Sequence, residues 1–237
     1  MDGGAASNAI DDVLPKAYEE SWDPGIGTAS FHAFGSAVNK GSISYKTPSF
    51  ELPFGVTLSA AADYDPNANA AQPSPASVGD AASSGEAFVF KLAHESGLTL
   101  GGGEMTVGNS DAVRGETIAT GYLLYKNGGL SLGYQEAYEN AAITEKGTTT
   151  RGVDTESDGF AIAYSAGDLS FSYSETNETA QANGATAALE EETFSAIQAA
   201  YNLGGMTIAA SLYEADNLDG VAAKKYEETE ISVSFAF

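Results

Sequence analysis

The chain has 237 residues, of which 33 are acidic and 10 are basic, so its formal net charge is −23. This balance argues against nucleic-acid binding, because an acidic protein repels phosphate. The sequence contains no cysteine, which excludes a disulfide framework, a thiolate metal site and a cysteine nucleophile. It also contains no apolar run of about 18 residues, which excludes a membrane-spanning helix but leaves a membrane-spanning β-barrel open.

The first 40 residues lack the alternation that follows them. Residues 5–20 are the one stretch with helical character, and Pro15 would interrupt a helix there. The N-terminus has neither a basic nor an apolar region, so we recognise no signal peptide in it. Residues 28–35 (TASFHAFG) offer an alternative, an additional strand that would give an even count and a small, self-contained barrel. We divide the chain into residues 1–40 and a β region, residues 41–237.

From residue 41 onward, apolar and polar residues alternate with the period of two that is typical of half-exposed strands. Short and long connections also alternate, and the long ones are rich in Ala, Asn, Ser, Thr and acidic residues. This pattern predicts an antiparallel meander with tight turns at one end and long loops at the other. We predict about eleven strands, at residues 42–47, 55–64, 86–93, 98–107, 116–125, 130–138, 158–164, 169–176, 193–201, 206–214 and 228–237.

One hairpin sequence, Y-x-x-G-x-[LM]-[ST]-[LFI], occurs three times, beginning at Tyr125, Tyr164 and Tyr201. In the first copy Asn127-Gly128 is the hairpin signal, because both central residues of a type I′ turn need positive φ. A turn centred there would pair Tyr125 with Leu130 and place both side chains on one face. The sequence therefore predicts three similar hairpins at one end of the sheet.

Each predicted strand has an apolar and a polar face, which fits a soluble sandwich or a membrane barrel. Tyrosines near the strand ends favour the barrel, because aromatic side chains gather at membrane interfaces. The apolar face is rich in Ala and Gly, which suits lipid better than a close-packed core. The predicted interface aromatics are Tyr64, Tyr125, Tyr138, Tyr164, Tyr173 and Tyr201. The predicted pore-lining residues on the polar face are Lys46, Asp63, Lys91, Gln135 and Gln198.

The chain ends on the alternating sequence Ile231-Ser-Val-Ser-Phe-Ala-Phe237. Together with segments 41–50 and 55–64, this ending resembles the C-terminal two-thirds of a Gram-negative outer-membrane general porin of the alphaproteobacterial type. The resemblance implies an antiparallel transmembrane β-barrel, with about 11 or 12 of about 16 strands present. It also implies a homotrimeric, passive diffusion channel for small hydrophilic solutes and ions. The residues that would act as the signal to the outer-membrane assembly machinery are Ile231, Val233, Phe235 and Phe237.

By the same resemblance, residues 1–40 correspond to the loop that folds into the barrel and narrows it. Carboxylates at a constriction favour cations over anions, so we expect a cation-leaning pore. The predicted constriction residues are Asp11, Asp12, Glu19, Glu20 and Asp23. An exposed acidic N-terminal arm is an equal alternative for this segment.

The spacing of Asp63, Asp65 and Asn67 is that of calcium-loop ligands, but Ala68 and Ser74 replace the glycine and glutamate that such a loop needs. We therefore predict no cofactor and keep loop-bound calcium as an alternative. Neither histidine, His32 nor His94, lies in a catalytic motif, so we predict no enzymatic activity.

A second interpretation of the whole chain is a secreted or surface-anchored acidic β-protein, an adhesin or structural protein whose loops bind calcium or a partner.

In the barrel interpretation, small residues on the outward face, such as Ala119 and Gly121, fit contact with a neighbouring barrel as well as contact with lipid.

Overall fold

The computed structural model describes residue 10 and residues 12–18, 43–66, 84–107, 116–140, 153–182 and 189–235. These residues form one antiparallel sheet. Among them, no helix is long and apolar enough to span a lipid bilayer. The strands are β1 (Ile43–Lys46), β2 (Phe50–Leu52), β3 (Val56–Asp65), β4 (Gly85–His94), β5 (Leu98–Val107), β6 (Glu116–Asn127), β7 (Leu130–Asn140), β8 (Val153–Ala166), β9 (Leu169–Ala182), β10 (Glu192–Asn202), β11 (Met206–Asp216) and β12 (Tyr226–Phe235).

The sheet is a meander in which β3 to β12 follow one another, with β1 and β2 both paired to β3 at one edge. β1 and β2 are two parts of one edge strand that is interrupted at Pro48. Thr47 next to it forms two bonds with Ala60: its backbone N donates to the Ala60 carbonyl (2.9 Å), and its Oγ1 accepts from the Ala60 N (2.9 Å). Proline lacks an N–H and occurs in sheets at edges and bulges. The predicted meander of about eleven strands is therefore confirmed, and the sheet is open between β1 and β12 in the part described.

The first of the three repeated hairpins turns one residue later than the sequence predicts, and the other two turn at the equivalent position. β6 ends at Asn127 and pairs it with Leu130, so Tyr125 pairs with Leu132. The first central residue of each turn is a glycine with positive φ: Gly128 (58°), Gly167 (62°) and Gly204 (83°). The second central residue of each turn, Gly129, Asp168 or Gly205, lacks positive φ, which is the pattern of a type II′ turn. The type I′ turn predicted at Asn127-Gly128 is therefore wrong. The partner of Tyr125 shifts by two positions, which leaves its side chain on the predicted face.

Several strands extend beyond their predicted ends on the loop side. β8 begins at Val153 rather than at residue 158, and β9 ends at Ala182 rather than at residue 176. Polar cross-strand pairs accompany the extension: the Asn177 amide donates to Asp158 (3.4 Å) and accepts from the Thr193 hydroxyl (3.0 Å). Such pairs stabilise a sheet outside its apolar band. The gap between the predicted strands 42–47 and 55–64 also contains a strand, because residues 50–52 form β2.

The sheet has an inner and an outer face, which we define by residue 10 and residues 12–18, hereafter the inner segment. This segment lies against the inner face, where Ile10 and Leu14 each join a cluster of buried side chains. Ile10 packs with Ala61, Ala87, Val89, Met105 and Ile118. Leu14 packs with Ala137, Ala161, Phe194, Ala196, Tyr213 and Ala215. On the outer face the large apolar side chains are exposed, among them Phe88, Leu100, Leu123, Ile162, Phe171, Ile197 and Ile231.

Candidate functional site

The inner segment is attached to the sheet by hydrogen bonds from its backbone to two glutamines. The Val13 N donates to Gln135 Oε1 (3.0 Å), and the Ala17 N donates to Gln198 Oε1 (3.3 Å). Ala17 N also donates to Ser172 Oγ (2.9 Å). The two glutamines belong to β7 and β10, and both are buried. The segment has no strand pairing here, so side chains satisfy the amides that a neighbouring strand would otherwise bond.

The amide nitrogens of both glutamines are bound within the sheet. Gln135 Nε2 donates to Thr120 Oγ1 (3.2 Å), and Gln198 Nε2 donates to the Tyr213 hydroxyl (3.1 Å). These bonds orient each side chain so that its oxygen faces the inner segment. The oriented amides form small buried networks, in which loss of one member leaves others without a partner.

Gly133 on β7 lets the inner segment approach the backbone of the sheet. A Cβ atom at this position would lie 2.5 Å from Pro15 Cδ and 3.3 Å from Leu14 Cδ2. A contact of 2.5 Å is shorter than van der Waals packing allows, so any side chain here would displace the segment or the strand. The site is therefore shaped by a glycine that the sequence pattern did not single out.

The five residues predicted to line a pore share the inner face. Asp63, Gln135 and Gln198 are buried there, whereas Lys46 and Lys91 are exposed. The inner face also carries buried hydroxyl groups that the sequence analysis did not assign a role, including Thr120, Ser172 and Tyr213. Their alternation was visible in the sequence, but their contacts with Gln135 and Gln198 depend on the strand register.

Of the residues predicted to form a constriction, Asp12 is described. Its carboxylate accepts a hydrogen bond from the Leu14 N (2.9 Å) and forms an ion pair with Lys16 (3.2 Å). The carboxylate is thus held in the turn of the inner segment beside a positive charge. The other four, Asp11, Glu19, Glu20 and Asp23, lie outside the described residues.

The spacing that suggested a calcium loop belongs in part to a strand. Asp63 and Asp65 are in β3 and point to the inner face, and Asn67 lies outside the described residues. Within the described ranges, no group of three or more His, Cys, Asp or Glu side chains is placed to hold a metal ion. His94 ends β4 and its Nδ1 bonds the Ser96 hydroxyl (2.7 Å), a local turn contact, whereas His32 lies outside the described residues.

The predicted interface tyrosines lie on the outer face, and all except Tyr173, the fifth residue of the 14-residue strand β9, are near the ends of their strands. Tyr64, Tyr164 and Tyr201 are exposed, and Tyr125, Tyr138 and Tyr173 are half-buried.

The outer face also carries a repeated Y-x-E contact that the sequence pattern did not indicate. Tyr134 donates to Glu136 Oε1 (2.5 Å), and Tyr173 donates to Glu175 Oε2 (2.8 Å).

The C-terminal residues are also placed on the outer face. Ile231, Val233 and Phe235 are all exposed there, at 75%, 51% and 59% of their full side-chain accessibility. Phe237 lies outside the described residues. A row of exposed apolar side chains on the last strand continues the apolar surface of the neighbouring strand β11, which presents Ile208 and Leu212.

No known protein family matches this sequence, and no curated protein matches it. In structure the chain is similar to a porin refined at 1.8 Å resolution, with a TM-score of 0.54 and 14% sequence identity. The similarity covers 82% of this chain and 60% of the porin chain. The chain thus spans about 60% of the length of the solved protein that it matches. At this identity the likeness shows the fold, which is the antiparallel β-barrel fold of a porin, with the sheet open across the residues that the structure describes.

Proposed function

We propose that this chain belongs to a passive diffusion channel that passes small hydrophilic solutes and ions across the outer membrane of a Gram-negative bacterium. The supporting observation is the distribution of side chains between the two faces. The outer face exposes large apolar residues along successive strands, whereas the inner face carries amides, hydroxyls and carboxylates beside the two apolar clusters that the inner segment covers. Lipid outside and water inside a barrel require this polarity, which is the reverse of a soluble β-barrel.

In this proposal the inner segment narrows the channel. Its backbone bonds to Gln135 and Gln198 hold it across β7 to β10, and the packing of its own Ile10 and Leu14 against the sheet buries apolar surface beneath it. A channel narrowed by a loop on its inner wall selects solutes by size and by the charge that the loop carries. Residues 1–40 would supply that loop.

We further propose that the channel favours cations. The chain carries a net charge of −23, and Asp63 and Asp65 are buried on the inner face. Fixed negative charge in a low-dielectric wall raises the local concentration of cations and lowers that of anions. Lys46 and Lys91 on the same face would moderate this preference without reversing it.

The remaining proposals follow from the resemblance to general porins of the alphaproteobacterial type. The alternating C-terminal residues would be read by the outer-membrane assembly machinery, and the channel would be a homotrimer. Diffusion through such a channel needs no cofactor and no catalytic residue.

Planar bilayer recording tests this function. Protein extracted in detergent and added to one side of a bilayer should produce stepwise increases in conductance, and a KCl gradient should give a reversal potential of the sign that indicates cation preference. Protein inactivated by heating in denaturant serves as the control. A chain that stays soluble without detergent and produces no conductance steps would overturn the proposal.

A further inference from the structure

The outer face carries a depression at the centre of strands β4 to β7. Gly102 of β5 and Gly121 of β6 lie opposite each other and form its floor. Aromatic and aliphatic side chains surround this floor, with Phe88 and Phe90 on one side, Tyr134 on the other, and Leu100 and Leu123 toward the tight turns. The resulting cavity has a volume of about 570 Å³.

The missing side chains of the two glycines create this space. A Cβ atom on Gly121 would meet no other atom within 4 Å, so the space above it is empty. A Cβ atom on Gly102 would lie 2.8 Å from the Thr120 carbonyl oxygen, so a larger residue does not fit there without movement. The depression is therefore a fixed feature of the strand pairing rather than a gap between mobile side chains.

Toward the long loops the depression becomes acidic. A second cavity, of about 510 Å³, shares Ala119, Gly121 and Glu136 with the first and continues to Glu156 and Asp158. Glu104 lies at the junction, where it pairs with Ala119. The hydrogen bond from Tyr134 fixes the Glu136 carboxylate beside the apolar part. Together the two cavities form one groove, apolar at one end and negatively charged at the other.

We propose that this groove binds one membrane lipid whose apolar chain occupies the space above Gly102 and Gly121 and whose ammonium head group contacts Glu104 and Glu136. Each cavity falls in the range of about 300 to 1,000 Å³ that is typical of small-molecule sites. The carboxylates complement a cationic group and repel a lipid whose only charge is a phosphate.

This inference rests on the membrane location in the proposed function but does not require that the chain conducts ions. The two are therefore tested separately, since lipid binding is measured on detergent-extracted protein and conduction in a bilayer. A chain that retains lipid but does not conduct would overturn the channel alone. A chain that conducts without retaining lipid would overturn the groove alone.

Native mass spectrometry of the detergent-extracted protein measures the bound lipid directly. The probes are phosphatidylethanolamine and phosphatidylglycerol with identical acyl chains, added in equal amounts. We expect one retained phosphatidylethanolamine molecule and about tenfold less retained phosphatidylglycerol, from the loss of a charge-assisted contact. The double variant Glu104→Gln, Glu136→Gln should abolish this preference while leaving the apolar part of the groove intact.

Gly121→Leu fills the groove and should remove both lipids. The substitution keeps the fold because a side chain has room at this position. Ala210→Leu is the matched control, because Ala210 is a small exposed residue on the outer face of β11, away from the groove. Equal retention of the two lipids, or unchanged retention in Gly121→Leu, would overturn the proposal. An oligomer that Gly121→Leu dissociates would also overturn it, since the groove would then hold a second copy of the chain.

Discussion

Pro15 of the inner segment lies directly over Gly133 of β7, so closely that a Cβ atom on Gly133 would come within 2.5 Å of the proline ring. Gly133→Val should therefore detach the segment from the sheet. Lys16 follows Pro15, and a detached segment exposes the peptide bond after Lys16 to trypsin. We expect faster cleavage at Lys16 in the variant, measured by mass spectrometry of the released N-terminal peptide. Gly121→Ala, which meets no neighbouring atom, is the control. Equal cleavage rates would contradict this role of Gly133.

The second prediction concerns the hydrogen bonds that hold the inner segment on the sheet. Gln198→Leu removes an acceptor for the Ala17 N and leaves the Tyr213 hydroxyl without its donor. Loss of such buried bonds costs about 1–3 kcal/mol. We expect a lower free energy of unfolding in detergent and, if the chain conducts, a larger and noisier conductance. Gln198→Glu keeps an acceptor oxygen and should weaken the segment less. An unchanged conductance in Gln198→Leu would show that the segment does not restrict the channel.

The tight turns depend on glycine because of backbone conformation rather than lack of space. Gly167 has a φ of 62°, and a Cβ atom there would meet no atom within 4 Å. Gly167→Ala should cost about 1–2 kcal/mol, the penalty for a left-handed backbone. Gly121→Ala is the comparison, because Gly121 also has free space but lies inside a strand without positive φ. Urea unfolding of both variants in the same detergent separates the two effects. Equal stability of the two would contradict the role of positive φ at Gly167.

Neighbouring residues on β12 test the assignment of its two faces. Ile231 is exposed on the outer face, whereas Ser232 points to the inner face. Ile231 lies two residues further from the tight turns than Val233, which is level with the predicted interface residue Tyr201. An arginine on the lipid side of a barrel costs about 2–4 kcal/mol near the middle of the membrane and about 0–1 kcal/mol near its interfaces. Ile231→Arg should therefore reduce folding into lipid vesicles, measured by the heat-modified mobility of the folded barrel on a gel, and Ser232→Arg should not. The reverse order would place lipid on the other face.

The alternation of residues predicted the strands and their faces well, because a period of two is a local property of the chain. The turn after Tyr125 was predicted one residue early, since Gly128 is able to take either central position of a two-residue turn and the pairing of Tyr125 with Leu132 places it first. The loop-side ends of β8 and β9 were missed because polar pairs such as Asp158 and Asn177 carry no apolar signal.

The contacts of the inner segment were beyond sequence reasoning for a different reason. Val13 and Gln135 are 122 residues apart, and their bond depends on the position of a segment that has no regular structure. The groove over Gly102 and Gly121 likewise depends on the register of β5 with β6. Composition indicated small outward residues, but only the pairing places two glycines face to face.

When β1 and β2 count as one strand, the described sheet has eleven strands, and each runs antiparallel to the next. The first and the last of an odd number of such strands run in the same direction. The edge strand interrupted at Pro48 is therefore parallel to β12. Antiparallel closure of this sheet therefore requires an odd number of added strands, whichever molecule supplies them. Pro48 has no N–H, so it offers no donor to a strand that joins this edge. The parity of the meander thus sets which assemblies are able to enclose a channel.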